Sequence, residues 1–218
     1  MFRDREDAAH QLAQKLKGRA LHDPLVLAIP RGGVMTGAVL AQELDAELDV
    51  VLSRKLRAPW QPELAIGAVS EDGRVYVNCN AQEMICPSEA YLAEERRYQL
   101  AEIARCGKLF RSARPAATIA DRSVIVTDDG IATGSTMIAA VQTARSHGPY
   151  ELIVAVPVAP PKQLQEIRRW CDDVVCLLCP DTFWAIGQFY VDFTQVDDAQ
   201  IVEILNAAAA ESAVRTGT

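Results

Sequence analysis

Apolar residues fall along this chain in two patterns: short unbroken runs, and longer stretches in which they return every three or four positions. The unbroken runs Leu25 to Ile29, Leu48 to Ser53, Val124 to Thr127, Leu152 to Val158 and Val174 to Leu178 predict strands buried on both faces. Between them lie helical patterns. Asp4 to Lys17 carries Ala8, Ala9, Leu12, Ala13 and Leu16 on one side and stops at Gly18, and a helix of about 11 residues follows Gly33 and ends near Leu44. Pro87 to Phe110 reads as a long helix with Ser88 as N-cap and Tyr91, Leu92, Glu95, Tyr98, Leu100 and Ile103 along it. A helix reaching about Arg145 ends at His147-Gly148-Pro149, and Lys162 to Trp170 and Asp198 to Ala210 complete the set. Ala65 to Val69 and Arg74 to Val77, joined across Asp72-Gly73, predict a hairpin. Strand and helix alternate as a parallel sheet requires, so the expected class is α/β, a twisted parallel sheet flanked by helices in a single domain.

Composition narrows the function. The 218 residues are 50% hydrophobic, enough for one well-buried domain. A net charge of -7 leaves no general basic surface, which argues against nucleic acid as the main partner; an anionic ligand must be held by local Arg, Lys, backbone amides or metal. The first seven residues are charged where a signal peptide would be apolar. Pro, Asp or Arg interrupts every apolar stretch, so the expectation is a cytoplasmic protein with no membrane partner. Of the six cysteines, Cys171, Cys176 and Cys179 have an iron-sulfur-like spacing. Positions three apart on a strand point to opposite faces, so reduced thiols are expected there, as at Cys79, Cys86 and Cys106.

The chemistry concentrates in Val124 to Met137, where a β-favouring run meets Asp128-Asp129-Gly130-Ile131 and then Ala132-Thr133-Gly134-Ser135-Thr136. This reads as strand, ligand loop, helix. Carboxylates at the carboxyl end of a parallel strand suit vicinal hydroxyls or a hydrated divalent cation, and the small-residue loop opening a helix suits a phosphate dianion. A Walker A loop is excluded, because no Lys lies between Lys108 and Lys162. A second loop, Pro30-Arg31-Gly32-Gly33, lets backbone approach an anion and adds the donor fork of Arg31. Taken alone, each is an ordinary strand-to-helix turn. Arg54, Lys55 and Arg57 form a basic stretch before Pro59, read as a loop that is either solvated or holds diphosphate. Arg96 and Arg97 are expected to pair with Glu94 and Glu95. Finally Pro180 to Phe193 is too aromatic and too broken by Pro and Gly for an ordinary loop; it is either a satellite hydrophobic cluster or a lid over a flat ring.

In order and spacing, these segments resemble the type I phosphoribosyltransferases. The resemblance makes Val124 to Met137 the 5-phosphoribosyl diphosphate (PRPP) motif, Arg31-Gly32-Gly33 the pyrophosphate loop and Pro180 to Phe193 the hood. It implies a core over about residues 19–193, a helical insertion over about 80–120, and a hood of about 179–193 with the termini. The implied reaction transfers 5-phosphoribosyl from Mg-PRPP to a nucleobase-like nitrogen. Asp128, Asp129 and Arg31 are its catalytic residues; Ala132, Thr133, Gly134, Ser135 and Thr136 hold the 5-phosphate, and Arg31, Gly32, Gly33, Lys55 and Arg57 hold pyrophosphate. Phe183, Trp184 and Ile131 face the base. Mg²⁺ lies near Asp128, Asp129 and Asp192, largely held through PRPP, and a homodimer is implied. Two departures concern the base. Ala132 stands where oxopurine enzymes carry an acid, and Ala155 to Val158 offers no Lys to read a 6-oxo group. The alternatives are a PRPP- or nucleotide-sensing module with little turnover, or an enzyme of nucleotide hydrolysis or phosphorolysis. Related enzymes also lead us to expect a cis peptide between Pro30 and Arg31.

Overall fold

A computed structural model describes residues 1–61, 65–77, 87–112 and 115–216. Its elements are α1 (Arg5–Leu16), β1 (Leu25–Ala28), α2 (Gly32–Glu43), β2 (Glu47–Val50), β3 (Ser53–Arg57), β4 (Ala65–Ser70), β5 (Val75–Val77) and α3 (Glu89–Phe110). There follow β6 (Ser123–Thr127), α4 (Ser135–Arg145), β7 (Glu151–Val158), α5 (Pro161–Ile167), β8 (Asp173–Leu178), a 3-10 turn (Ile186–Phe189) and α6 (Asp198–Thr216).

Five strands form one parallel sheet in the order β2-β1-β6-β7-β8. Because successive strand residues face opposite ways, each run supplies both sides of the sheet. Val26, Ala28, Ile125, Ile153 and Ala155 pack with Leu12 and Leu16 of α1, Val34 and Leu40 of α2, and Ile201 and Leu205 of α6. Leu25, Leu27, Val124, Val126, Leu152, Val154 and Val156 pack with Met137, Ala140, Val141 and Ala144 of α4 and Leu164 and Ile167 of α5. Nearly every one of these strand positions is fully buried, which is why the strands read as unbroken apolar runs. Asp4 caps α1 by accepting from the Asp7 N–H at 2.8 Å, and Ser88 caps α3 by accepting from the Tyr91 N–H at 3.2 Å.

Several expectations change. The run Leu48 to Ser53 is not one strand: β2 ends at Val50, and Ser53 begins β3, which pairs antiparallel with β4 in a separate three-stranded sheet. The basic stretch Arg54 to Arg57 therefore lies on a strand and not in a loop. Leu56 is its one buried side chain, while its polar residues stay at the surface or in a cleft, the alternation of a half-solvated antiparallel strand. Glu95, expected to pair along its own helix, is instead buried against β3. Its Oε1 accepts from Arg57 Nε at 2.7 Å and its Oε2 from Arg57 Nη2 at 2.8 Å. Arg96 donates to the Gly73 carbonyl at 2.9 Å, whereas Arg97 does reach Glu94, at 3.8 Å. Helix α5 ends at Ile167 rather than Trp170, and α6 runs beyond Ala210.

Candidate functional site

Three chain segments converge at the carboxyl end of the parallel sheet. Asp128 and Asp129 follow directly on β6, the central strand of the sheet. The Arg31-Gly32-Gly33 loop follows neighbouring β1 and lies against them: a Cβ on Gly32 would stand 1.9 Å from Asp129 Oδ2, and one on Gly33 would stand 2.9 Å from Asp128 Cα. No side chain but hydrogen can occupy either place without displacing an acid. The Pro30–Arg31 peptide is cis, as expected.

The third segment is the turn into α4. Gly134, at φ 81°, stands at the N-cap position, and no side chain caps the helix. The first-turn amides and the exposed Thr133 and Thr136 thus face a common concavity suited to an anion, with Ser135 half-buried beside them and Ala132 exposed. Ile131 is not exposed with them. It is 3% accessible, packed into the core with its N–H donating to the Val158 carbonyl at 2.9 Å, so it offers a base little surface.

The two acids differ in environment. Asp129 is buried; its Oδ2 accepts from Arg5 Nε at 2.7 Å and its carbonyl from Tyr190 Oη at 2.7 Å. Asp128 keeps slight exposure but is crowded by protein, and its Oδ1 accepts from the Asp129 N–H at 2.8 Å. Burial, and then the charge of Asp129, hold Asp128 well above the usual carboxylate range. A divalent cation fits this chemistry: two hard oxygen donors stand together, and one of them carries a charge that a cation would relieve. Among the described residues no three His, Cys, Asp or Glu side chains gather as metal ligands.

A cavity of about 560 Å³ opens beside the glycine loop, between β3 and α3. Arg31, Lys55, Arg57 and Thr136 all line it, with Arg54 and Arg105. Arg31, Lys55 and Arg57 of the predicted pyrophosphate set are therefore brought together in an otherwise acidic protein, while Gly32 and Gly33 lie against the acids. Their availability differs. Arg57 spends Nε and Nη2 on Glu95, whereas Arg31 approaches Asp198 only at 3.7 Å with half its side chain exposed.

The hood lies across the motif from this cavity. Its 3-10 turn rests on the loop after the acids, with Ile186 Cγ2 only 2.7 Å from a Cβ placed on Gly130. Phe183 is half-buried, its ring centre 5.2 Å from that of Phe189. Trp184 is 86% exposed, and its N–H already donates to Gln188 Oε1 at 3.1 Å. Asp192 accepts from the Thr194 N–H and hydroxyl, which hold it below its ordinary value; it stands on the Arg5 side of the hood.

A model of the phosphoribosyl transferase domain matches residues 3–194. The chain belongs to the phosphoribosyl transferase family. This phosphoribosyl transferase domain is 41% identical over 208 residues to proteins of two Mycobacterium tuberculosis strains, CDC 1551 and H37Rv, each named "Putative phosphoribosyl transferase". The match covers 95% of this chain and 47% of each relative, so the chain spans about half the length of the curated relatives it matches. The crystal structure of TT1426 from Thermus thermophilus superposes with a TM-score of 0.89 at 39% identity, over 94% of this chain and 98% of that one.

Sequence reasoning about this phosphoribosyl transferase missed two residues at the acids, Arg5 and Tyr190. The thiols of Cys106, Cys171, Cys176 and Cys179 are free, as expected, but Cys176 and Cys179 do not face apart. Cys179 lies beyond the end of β8 and turns back to within hydrogen-bonding range of Cys176, whose thiol is pushed up to about 12 by burial first and by that neighbour second. Cys79 and Cys86 lie outside the described residues. Among the described residues no helix is long and apolar enough to cross a membrane.

Proposed function

We propose that the domain transfers a 5-phosphoribosyl group from PRPP, with Mg²⁺, to a nitrogen nucleophile of nucleobase type, releasing pyrophosphate in the cytoplasm. The observation that carries this reading is the placement of the acid pair between an Arg-Gly-Gly loop and an uncapped helix N-terminus. These are the places a ribose, a diphosphate and a 5-phosphate need.

The bond broken joins the ribose anomeric carbon to diphosphate oxygen, and the bond formed joins that carbon to the acceptor nitrogen, whose proton leaves to solvent. As diphosphate departs, the sugar becomes cationic and the leaving group gains charge, so catalysis consists largely of charge management. Arg31 and the Lys55 side of the β3–α3 cavity receive the diphosphate. Asp128 and Asp129 accept from the ribose hydroxyls, and the positive charge that develops on the sugar favours ionisation of the Asp128 carboxyl. The α4 amides with Thr133 and Thr136 fix the 5-phosphate, so binding energy remote from the reaction orients the reacting carbon. When bound with PRPP, Mg²⁺ supplies further neutralisation of the diphosphate. Phe183 and Trp184 flank the acceptor side, and Asp192 stands at its rim.

A second reading keeps the pocket without turnover, as a PRPP- or nucleotide-sensing module. The engaged Trp184 N–H and the absence of an acid at Ala132 support it, because they leave the acceptor side short of polar readers. Isothermal titration with PRPP and Mg²⁺, followed by pyrophosphate release across a panel of bases, separates the two. Binding with release on one base supports transfer, binding without release on any supports sensing, and no binding rejects both.

A further inference from the structure

Arg5 opens α1 and belongs to none of the motifs, yet its side chain meets the acids, the glycine loop and the hood. Its Nε donates to Asp129 Oδ2 at 2.7 Å, with both side chains only 11% exposed. Its Nη1 donates to the Thr194 carbonyl at 2.8 Å, and its guanidinium carbon lies 3.8 Å from the centre of the Phe193 ring. A Cβ on Gly32 would stand 3.1 Å from its Nε. The residues leading to it strap the hood: the Phe2 N–H donates to the Phe189 carbonyl at 2.8 Å, the Val191 N–H to the Phe2 carbonyl at 2.9 Å, and the Asp192 N–H to the Arg3 carbonyl at 2.8 Å.

We propose that Arg5 is a positioning residue for ribose recognition, acting through Asp129 and locking that carboxylate to the hood. The inference rests on the phosphoribosyl-transfer reading above. A carboxylate accepts from several directions, and a charge-assisted bond to one oxygen in a dry site fixes the rotation of the whole group. With Oδ2 committed to Arg5, Asp129 presents one orientation to a sugar hydroxyl and does not turn against the Gly32 backbone. The residue type matters, because one planar guanidinium serves the carboxylate, the Thr194 carbonyl and the face of Phe193 together. A Lys ammonium at the same place would serve the carboxylate alone. Arg5 lies against Gly32 but does not line the diphosphate cavity, and its charged bond is to Asp129, so its effect falls chiefly on the sugar.

The test compares the full-length wild type with Arg5→Met and Arg5→Lys, titrated separately with ribose 5-phosphate and with inorganic pyrophosphate plus Mg²⁺. Arg5→Met is expected to weaken ribose 5-phosphate by about tenfold or more while pyrophosphate stays within about twofold, with Arg5→Lys between it and wild type. In turnover the loss is expected chiefly in KM for PRPP. Equal losses for both ligands would mark a merely structural role and overturn the proposal, as would unchanged ribose 5-phosphate affinity. If Arg5→Met does not fold, Arg5→Lys carries the same comparison, and a selective ribose 5-phosphate loss of about threefold or more supports the proposal while a smaller or equal loss overturns it. A wild type that binds neither ligand removes the transfer reading and this inference together; a wild type that binds both, with variants indistinguishable from it, removes this inference alone.

Discussion

The Arg57–Glu95 pair joins β3 to α3, with Arg57 lining the cationic cavity, and its asymmetry makes a strong prediction. Glu95 has a 5% exposed side chain and accepts four hydrogen bonds, from Arg57 Nε, Arg57 Nη2, the Arg57 backbone N–H and Gln99. Arg57 is 35% exposed and lies 4.9 Å from the centre of the Tyr98 ring. Removing one partner of a fully buried pair costs about 3 to 5 kcal/mol, chiefly because the other charge is left stranded. Arg57→Ala strands the buried carboxylate, so a cost of about 3 to 5 kcal/mol is expected. Glu95→Ala strands a cation that can turn to water, and solvent screening lowers the expected cost to about 2 to 3 kcal/mol.

The coupling in a double-mutant cycle should be about 1 to 3 kcal/mol, measured by urea unfolding at pH 7. Its pH dependence has a definite sign. Burial alone would raise Glu95, but the bonds from Arg57 and Gln99 outweigh it and the folded carboxyl lies below its ordinary value. The contribution is therefore complete above the unfolded value of about 4.3 and fades as pH falls through the lower folded one. A coupling under about 0.5 kcal/mol at pH 7, a coupling that grows rather than fades as the carboxylates are protonated, or a Glu95→Ala costlier than Arg57→Ala would refute the argument.

Gly33→Ala would push a methyl to 2.9 Å from Asp128 Cα and 3.0 Å from the Thr127 carbonyl, both backbone, so a loss of about 1 to 3 kcal/mol with impaired PRPP binding is expected by thermal unfolding and calorimetry. Gly107→Ala on α3 meets only Leu52 Cδ1 at 3.7 Å and should stabilise by about 0.5 to 1 kcal/mol in the same scan. Phe183→Ala should weaken base or nucleotide binding by about 1 to 3 kcal/mol whichever base is accepted, since stacking tolerates ring identity; an unchanged titration would remove Phe183 from the site. Hypoxanthine and guanine should be poor acceptors, because neither Ala132 nor Ala155 to Val158 offers a polar reader. Pyrophosphate release with hypoxanthine at a kcat/KM of about 10⁴ M⁻¹s⁻¹ or more would reverse that expectation.

The parts legible in the sequence were those encoded locally. Each parallel strand is buried on both faces and so appears as a run, and the acid pair, glycine loop and α4 turn each lie within a few consecutive residues. β3 was hidden because Arg54, Lys55 and Arg57 look like a solvated loop, and only pairing with β4 makes a strand of them. Arg5 was hidden for a stronger reason. Its bond to Asp129 spans 124 positions, and the Tyr190 bond spans 61, so no spacing rule reaches either. The free thiols were legible but the facing of one pair was not: the rule that strand positions three apart face oppositely is sound, but Cys179 has already left β8.

The position of β1 also sets an order on biosynthesis. Residues 25–28 pair on one side with Glu47–Val50, made shortly afterwards, and on the other with β6, whose matching residues are 124–127. A ribosome adding about 5 to 20 residues per second therefore leaves one edge of Leu-Val-Leu-Ala open for several seconds, while the intervening hairpin and long helix are made. An apolar strand with an open edge is a template for pairing with other chains, and this one lies beside the Arg-Gly-Gly loop. The strand that closes that edge is also the one that delivers Asp128 and Asp129. The step that ends the aggregation hazard is thus the step that first brings the acids to the Arg-Gly-Gly loop.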